Sequence, residues 1–179
     1  MFDFDSITFL IAVVSLIAFA IPFMIYSNEA RKQSVQNAAK LESFLQSQHL
    51  QVAAKEIWRD RYFLGLDLNQ EKLAYTKDIK NFEPTVIHLS EISHVSRQEV
   101  SRVIGTGKSQ RKVIDALYLN LFTSSGILLV SIEIYDGEVF SDLSGEPVLL
   151  TKWEKLLKDQ LAVTNKKENL HKAQSSEIV

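Results

Sequence analysis

A glycine-flanked lysine near the middle of the chain is the feature closest to a phosphate-binding loop. Gly107, Lys108 and Ser109 match the end of the nucleotide-binding motif, in which backbone amides wrap the phosphates. That motif requires a glycine five residues before the second glycine, and Arg102 occupies this position. The motif also leads into a helix, whereas residues 113–123 alternate as a strand does. The sequence therefore predicts a flexible hairpin loop and no nucleotide site.

Residue types that bind metals or act in catalysis are sparse. The chain has no cysteine, which excludes disulfides, thiolate zinc sites and a cysteine nucleophile. His88 and His94 are six residues apart, but Ser90 and Glu91 interrupt the strand that would align them. Neither the serine-elbow motif nor the metalloprotease helix motif occurs. We predict no catalytic residue, no metal, no cofactor and no enzymatic activity.

Basic residues cluster in and around the same loop. Within residues 97–112, five of them oppose only Glu99, for a net charge of +4: Arg97, Arg102, Lys108, Arg111 and Lys112. Residues 133–146 carry five acidic residues and no Lys or Arg. Three interpretations of the basic segment stay open. It contacts anionic lipid headgroups, it contacts a protein partner, or its charges pair with the acidic segment inside the fold.

The charge of the whole chain bears on nucleic acid as a partner. The net charge is only −2, so no strong field attracts nucleic acid. Aromatic residues such as Trp58, Tyr118 and Trp153 lie at strand and helix spacings that are typical of a core rather than of a base-stacking platform. We predict no nucleic-acid binding.

An uncharged apolar segment follows the first few residues. In residues 7–26, 17 of 20 positions are apolar, and a helix of this length spans about 30 Å, the thickness of a bilayer core. The alternatives are a buried core helix or a cleaved signal peptide. A signal peptide is disfavoured because Asp3 and Asp5 precede the segment and the apolar run is too long.

We therefore predict that residues 7–26 form a transmembrane helix, and the flanking charges predict its orientation. Arg31, Lys32 and Lys40 follow the segment, and no Lys or Arg precedes it. Basic flanks stay in the cytoplasm. We therefore predict a single-pass protein of the inner membrane, with residues 1–6 outside, 7–26 in the bilayer and the remainder in the cytoplasm.

Residues 27–56 are expected to form a spacer helix, because they are rich in Ala and Gln and contain neither Gly nor Pro. Apolar residues recur three and four apart, at Val35, Ala38, Leu41, Leu45 and then Val52. Two interpretations stay open: a short coiled coil that forms a homodimer, or a polar spacer.

Residues 57–163 are predicted to form one folded domain. Hairpins are expected over residues 62–76 and 113–135, with shorter strands at 85–89, 92–97 and 100–104. An amphipathic helix begins at Pro147, and the polar residues 164–179 are expected to be disordered. The predicted class is mainly-β (α+β): an antiparallel bent sheet or partly open barrel of six to seven strands, capped by a C-terminal helix.

Four short segments of the predicted domain carry a resemblance to known proteins: Glu56, Ile57 and Trp58; Phe63, Leu64, Gly65, Leu66 and Asp67; Lys72, Leu73, Ala74 and Tyr75; and Leu143, Ser144, Gly145 and Glu146 ahead of Trp153. With the layout above, they resemble the pleckstrin-homology-like fold, and specifically a group of uncharacterised single-pass bacterial membrane proteins with a cytoplasmic domain of that type. The resemblance implies binding of lipid headgroups, peptides or other domains rather than catalysis.

These observations lead to a functional hypothesis, a membrane-tethered binding module at the inner face of the membrane. Lys108, Arg111 and Lys112 would attract anionic lipid or a protein partner, with Arg97 and Arg102 secondary. The alternative is a structural or accessory subunit of a membrane complex, in which the transmembrane helix makes the main contacts.

Overall fold

The computed structural model describes residues 6–176, with side chains from residue 9 to residue 166 apart from positions 23, 30 and 165. These residues fall into two compact units, divided between His49 and Leu50. The first unit is one long helix, and the second is an α+β domain of seven strands and a C-terminal helix. Of the predicted N-terminal tail, only Ser6 lies within the described residues, and it begins the first helix.

The N-terminal helix, α1, spans Ser6–Ser47 without interruption. It is the one helix in the described part of the chain that is long and apolar enough to cross a membrane, and none of its most apolar stretch is buried. The predicted membrane segment and the first part of the predicted spacer are therefore one continuous helix.

This helix ends earlier than the sequence predicts. The predicted spacer extends to residue 56, but α1 stops at Ser47 and residues 54–58 form a strand. His49 lies just beyond the helix in the left-handed region, at a φ of 54°. The helical propensity of Ala53 and Ala54 exceeds that of other residues by only about 0.5 kcal/mol each, which strand pairing outweighs. Homodimer formation through this helix stays a prediction.

The first sheet is an antiparallel meander of four strands: β1 (Ala54–Trp58), β2 (Tyr62–Asp67), β3 (Lys72–Thr76) and β4 (Thr85–His88). The β1–β2 turn places Arg59 and Asp60 at φ values of 56° and 49°. Two consecutive left-handed residues match the twist of a tight hairpin. The turn therefore holds Arg59 in a defined position beside the end of β1.

Asp67, at the end of β2, forms hydrogen bonds both to the segment that precedes β1 and to the β2–β3 turn. Its buried carboxylate accepts hydrogen bonds from the amides of Gln51, Asn69 and Gln70 at 2.6, 2.8 and 3.0 Å. Burial alone raises the pKa of Asp67, but these backbone hydrogen bonds outweigh it and leave the pKa below its usual value. The domain therefore includes residue 51, earlier than the boundary predicted at residue 57.

The second sheet contains three antiparallel strands in chain order: β5 (His94–Ile104), β6 (Arg111–Phe122) and β7 (Leu128–Asp136). The two short strands expected at 92–97 and 100–104 are one strand, β5, in which the register against β6 shifts between Val100 and Ser101. The described residues contain seven strands, within the six to seven that the sequence predicts. In the described part of the chain the strands form two separate sheets and no closed barrel.

The C-terminal helix, α2, spans Glu146–Ser176. Leu150, Trp153, Leu157 and Leu161 form its buried stripe, and the helix packs on β5, β6 and β7. The prediction of disorder from residue 164 is wrong as far as Ser176, because a polar segment without Gly or Pro can extend an existing helix although it cannot pack into a core. Residues 177–179 lie outside the described residues.

Side chains of the first sheet bind the backbone of β7. The indole of Trp58 donates to the carbonyl of Ile134 at 2.8 Å, and the amide of Glu133 donates to the hydroxyl of Tyr75 at 3.0 Å. Tyr62 donates its hydroxyl to the Glu133 carboxylate at 2.6 Å. These bonds satisfy part of an otherwise open strand edge and fix the two sheets around one apolar core.

Candidate functional site in the β5–β6 hairpin

The β5–β6 hairpin is longer than the sheet to which it belongs. β7 pairs with β6 only from Ala116 to Phe122, whereas the β5–β6 ladder continues to the pair Ile104 and Arg111. Residues 101–104 and 111–114 therefore form a two-stranded ribbon that extends about 13 Å beyond the three-stranded part. The register shift after Val100 marks its base.

The loop at the end of this ribbon has a defined shape. Gly105 has a φ of 90°, and a Cβ placed on it would lie 2.5 Å from the carbonyl oxygen of Ser109. A short 3-10 turn follows at Gly107–Ser109, and β6 begins at Arg111. The glycine-rich segment thus leads into a strand, as predicted, and its geometry is that of a hairpin turn.

The five basic residues predicted as binding residues divide into two groups. Three have acidic partners: Lys112 lies 2.5 Å from Glu99, Arg102 lies 3.3 Å from Asp115, and Arg97 lies 4.0 Å from Glu154. These pairs join exposed cations, so they are weak and readily exchanged. The hydrogen bond from Lys112 lowers the pKa of Glu99, which keeps this carboxylate charged.

The other two cations, Lys108 and Arg111, have no acidic partner among the described residues. Both are exposed, as is every residue from 105 to 112. The hairpin tip therefore presents two uncompensated positive charges to solvent, with no acidic residue between positions 100 and 114. The structure places Arg102, Lys108, Arg111 and Lys112 in the ribbon and its tip, whereas Arg97 lies in the three-stranded part and reaches Glu154 of α2.

The ribbon has two distinct faces, because directly paired residues lie on the same side of an antiparallel pair. Val103 pairs with Lys112, and these two lie on the core face, which continues from buried Val95. The outer face carries Val100, Arg102, Ile104, Arg111 and Val113. Sequence reasoning missed these aliphatic residues, although Ile104 follows Arg102 by two positions and Val113 follows Arg111 by two positions.

The acidic segment does not pair with the basic hairpin. Arg59 instead binds two of its residues, with Nε 2.5 Å from the Glu146 carboxylate and Nη1 3.4 Å from Asp142. The Arg59 guanidinium also lies 4.8 Å from the centre of the Phe140 ring. Burial alone raises the pKa of Glu146, but the hydrogen bonds from Arg59 and from backbone amides outweigh it and lower this pKa.

Two concave regions of the domain are lined by residues that differ in character from those of the hairpin. A cavity of about 780 Å³ beside Arg61, Tyr75 and Asp78 mixes cations and anions. An apolar groove of about 450 Å³ lies between α2 and the first two strands. Within the described residues, no three His, Asp or Glu side chains are close enough together to hold a metal ion, and His88 and His94 belong to different sheets.

Comparison with known proteins gives no match: no family model, no curated protein and no solved structure resembles the chain significantly. The functional argument therefore rests on the geometry and charge of the hairpin.

Proposed function

We propose that the protein is a membrane-anchored interaction module whose β5–β6 hairpin contacts anionic lipid at the surface of the same membrane. One observation carries this proposal. Lys108 and Arg111 lie exposed, without an acidic partner among the described residues, at the end of a ribbon that projects beyond its sheet. Charges placed at the end of a projection can reach a flat surface before the rest of the domain does.

The energies involved are sufficient for a tethered domain. Each Lys or Arg close to an anionic surface contributes about 1 kcal/mol, so Lys108 and Arg111 together contribute about 2 kcal/mol. Arg102 adds to this when lipid phosphates replace its partially exposed partner, Asp115. Tethering supplies an effective concentration in the millimolar range, at which such a weak interaction is still populated.

The properties of α1 support its role as the tether. None of its most apolar stretch is buried, and Arg31, Lys32 and Lys40 follow that stretch. We propose a single pass through the inner membrane, with the N-terminus outside and the domain in the cytoplasm.

The arrangement of the domain supports a pleckstrin-homology-like fold as part of the proposal. A four-stranded meander, a three-stranded meander and a C-terminal helix follow one another in the chain. A domain of this type is expected to bind rather than to catalyse, which agrees with the hairpin as the candidate site.

The test is co-sedimentation of the fragment 50–179 with neutral and anionic vesicles. A fragment that began at residue 57 would lose most of β1 and the Gln51 bond to Asp67, whereas residues 50–179 form a compact unit. We expect salt-sensitive binding to anionic vesicles only. The double variant Lys108→Glu, Arg111→Glu should lose it. The matched control is Lys55→Glu, Lys77→Glu, which reverses an exposed lysine in β1 and an exposed lysine just after β3.

Two results would contradict the proposal. One is the absence of binding at low salt by a folded fragment. The other is equal loss of binding in the hairpin variant and in the control variant. Either would favour the alternative, an accessory subunit of a membrane complex, which cross-linking of the full chain in membranes would then address.

A further inference from the structure

Resting on the proposed function, we infer that the hairpin meets the bilayer through one face of its ribbon, the outer face. The contacting residues are then Val100, Ile104 and Val113 with Arg102 and Arg111, and Lys108 at the tip. The partner is the anionic bilayer surface itself, including its apolar interfacial layer, rather than a single headgroup held in a pocket.

The position of α2 distinguishes the two faces sterically. Val95 is buried and Arg97 reaches Glu154 of α2, so odd-numbered residues of β5 face the side on which the helix packs. A flat membrane that approached the core face of the ribbon would meet α2. The outer face of the ribbon points away from this helix, so α2 does not obstruct it.

The distribution of charge favours the same face. On the core face, Lys112 is neutralised by Glu99 at 2.5 Å. On the outer face, Arg102 lies 3.3 Å from Asp115, Arg111 has no acidic partner among the described residues, and Asp136 lies beyond Ala116 at the base. The amide of Gly137 donates to the Asp115 carbonyl at 2.7 Å, so Asp136 and Glu138 lie near the base of the ribbon and not at its tip.

The aliphatic residues of the outer face give the contact an apolar component. Val100 is 41% exposed, and Ile104 and Val113 are half-buried beside the arginines. Arginine stems lie along apolar surface while the guanidinium reaches the phosphates. All residues of the tip are exposed, so the cations form an open surface rather than an enclosed headgroup site.

The test compares two valines of the same strand in the full chain. The chain has no cysteine, so Val100→Cys and Val103→Cys each give a unique site for an environment-sensitive fluorophore. Each labelled protein is reconstituted in nanodiscs of phosphatidylcholine, with or without about 30 mol% phosphatidylglycerol. Quenching by spin-labelled lipid reports burial of the fluorophore. Val103 is the more exposed residue, at 65% against 41%, so contact without a preferred face would favour position 103.

We expect a blue shift and lipid quenching at position 100 in anionic nanodiscs only, with position 103 unchanged. Adding Lys108→Glu and Arg111→Glu should abolish the response at position 100. In vesicle sedimentation of the fragment, Val100→Ser should lower affinity about threefold, and Val103→Ser should leave it unchanged. Soluble glycerol phosphate should not compete, because the apolar layer is part of the site.

Each of the other outcomes shows whether the assignment of the face or the proposed function itself is wrong. An equal or larger response at position 103 overturns the assignment of the face and leaves the proposed function standing. Anionic-dependent sedimentation without a response at either position also overturns the inference. If neither position responds and sedimentation does not depend on lipid charge, the proposed function fails as well.

Discussion

The acidic segment and the basic hairpin have similar charge densities, but their charged side chains differ in burial and in their partners within the fold. Arg59 binds two residues of the acidic segment, Asp142 and Glu146, and the Glu146 side chain is 3% exposed. In the hairpin, Lys108 and Arg111 are exposed and have no acidic partner among the described residues. One cluster of charge is part of the structure, and the other remains available for a partner.

This difference shows why a charge run cannot be interpreted without its environment. A buried ion pair contributes through the high cost of leaving either charge alone in a medium of low dielectric. An exposed pair such as Arg102 with Asp115 contributes little, since water solvates both groups well. The Arg59 cluster should therefore control stability, and the hairpin should control binding.

Removing Arg59 should have the largest effect. Arg59→Ala leaves the Glu146 carboxylate buried without its cation, and we expect the free energy of unfolding of the fragment 50–179 to fall by about 2–3 kcal/mol. Urea titration followed by circular dichroism measures it. Arg111→Ala is the matched control and should stay within about 0.5 kcal/mol of the unchanged fragment. Equal effects of the two substitutions would refute the comparison.

Acidification should also weaken the domain through its structural carboxylates. The pKa values of Asp67, Asp78 and Glu146 lie below their usual range in the folded state. The unfolded chain therefore binds more protons, so this stability is fully present above the unfolded pKa of about 4 and is lost as the pH falls through the folded values. Urea titrations between about pH 6 and pH 2.5 should show the decline.

The Arg59→Ala variant sharpens this pH prediction. Without Arg59, only the backbone hydrogen bonds oppose the effect of burial, so the pKa of Glu146 rises and its protonation opposes folding less. The decline of stability with falling pH should then be shallower than in Arg111→Ala. A decline of the same steepness in both variants would show that the Arg59 pair does not couple folding to protonation.

The smallest expected effect concerns the base of the hairpin. Asp115→Asn removes the acidic partner of Arg102 and one negative charge from the outer face. Affinity of the fragment for anionic vesicles should rise about twofold, with thermal stability unchanged. Vesicle sedimentation at two salt concentrations measures this rise. Reduced affinity would mean that the ion pair holds Arg102 in its binding position.

Much of the domain is predictable from local patterns. The alternation in residues 113–135 predicts the β6–β7 hairpin, and the spacing of Leu150, Trp153, Leu157 and Leu161 predicts the buried stripe of α2. The end of α1 and the start of β1 are not predictable in this way, because pairing with buried β2 decides them. The extension of α2 beyond residue 163 is not predictable from composition, because a low apolar content is shared by disordered segments and by exposed helix ends.

The sequence by itself determined the apolar character of α1, the positions of most strands and the clustering of five cations around one loop, since these depend on local composition and periodicity. Only the tertiary structure decided which cations stay free. Pairing between β5 and β6 places Lys112 near Glu99 and Arg102 near Asp115, while the turn that Gly105 permits leaves Lys108 and Arg111 beyond the reach of any described carboxylate. Strand register brings together residues distant in the chain, and no local pattern encodes their distances.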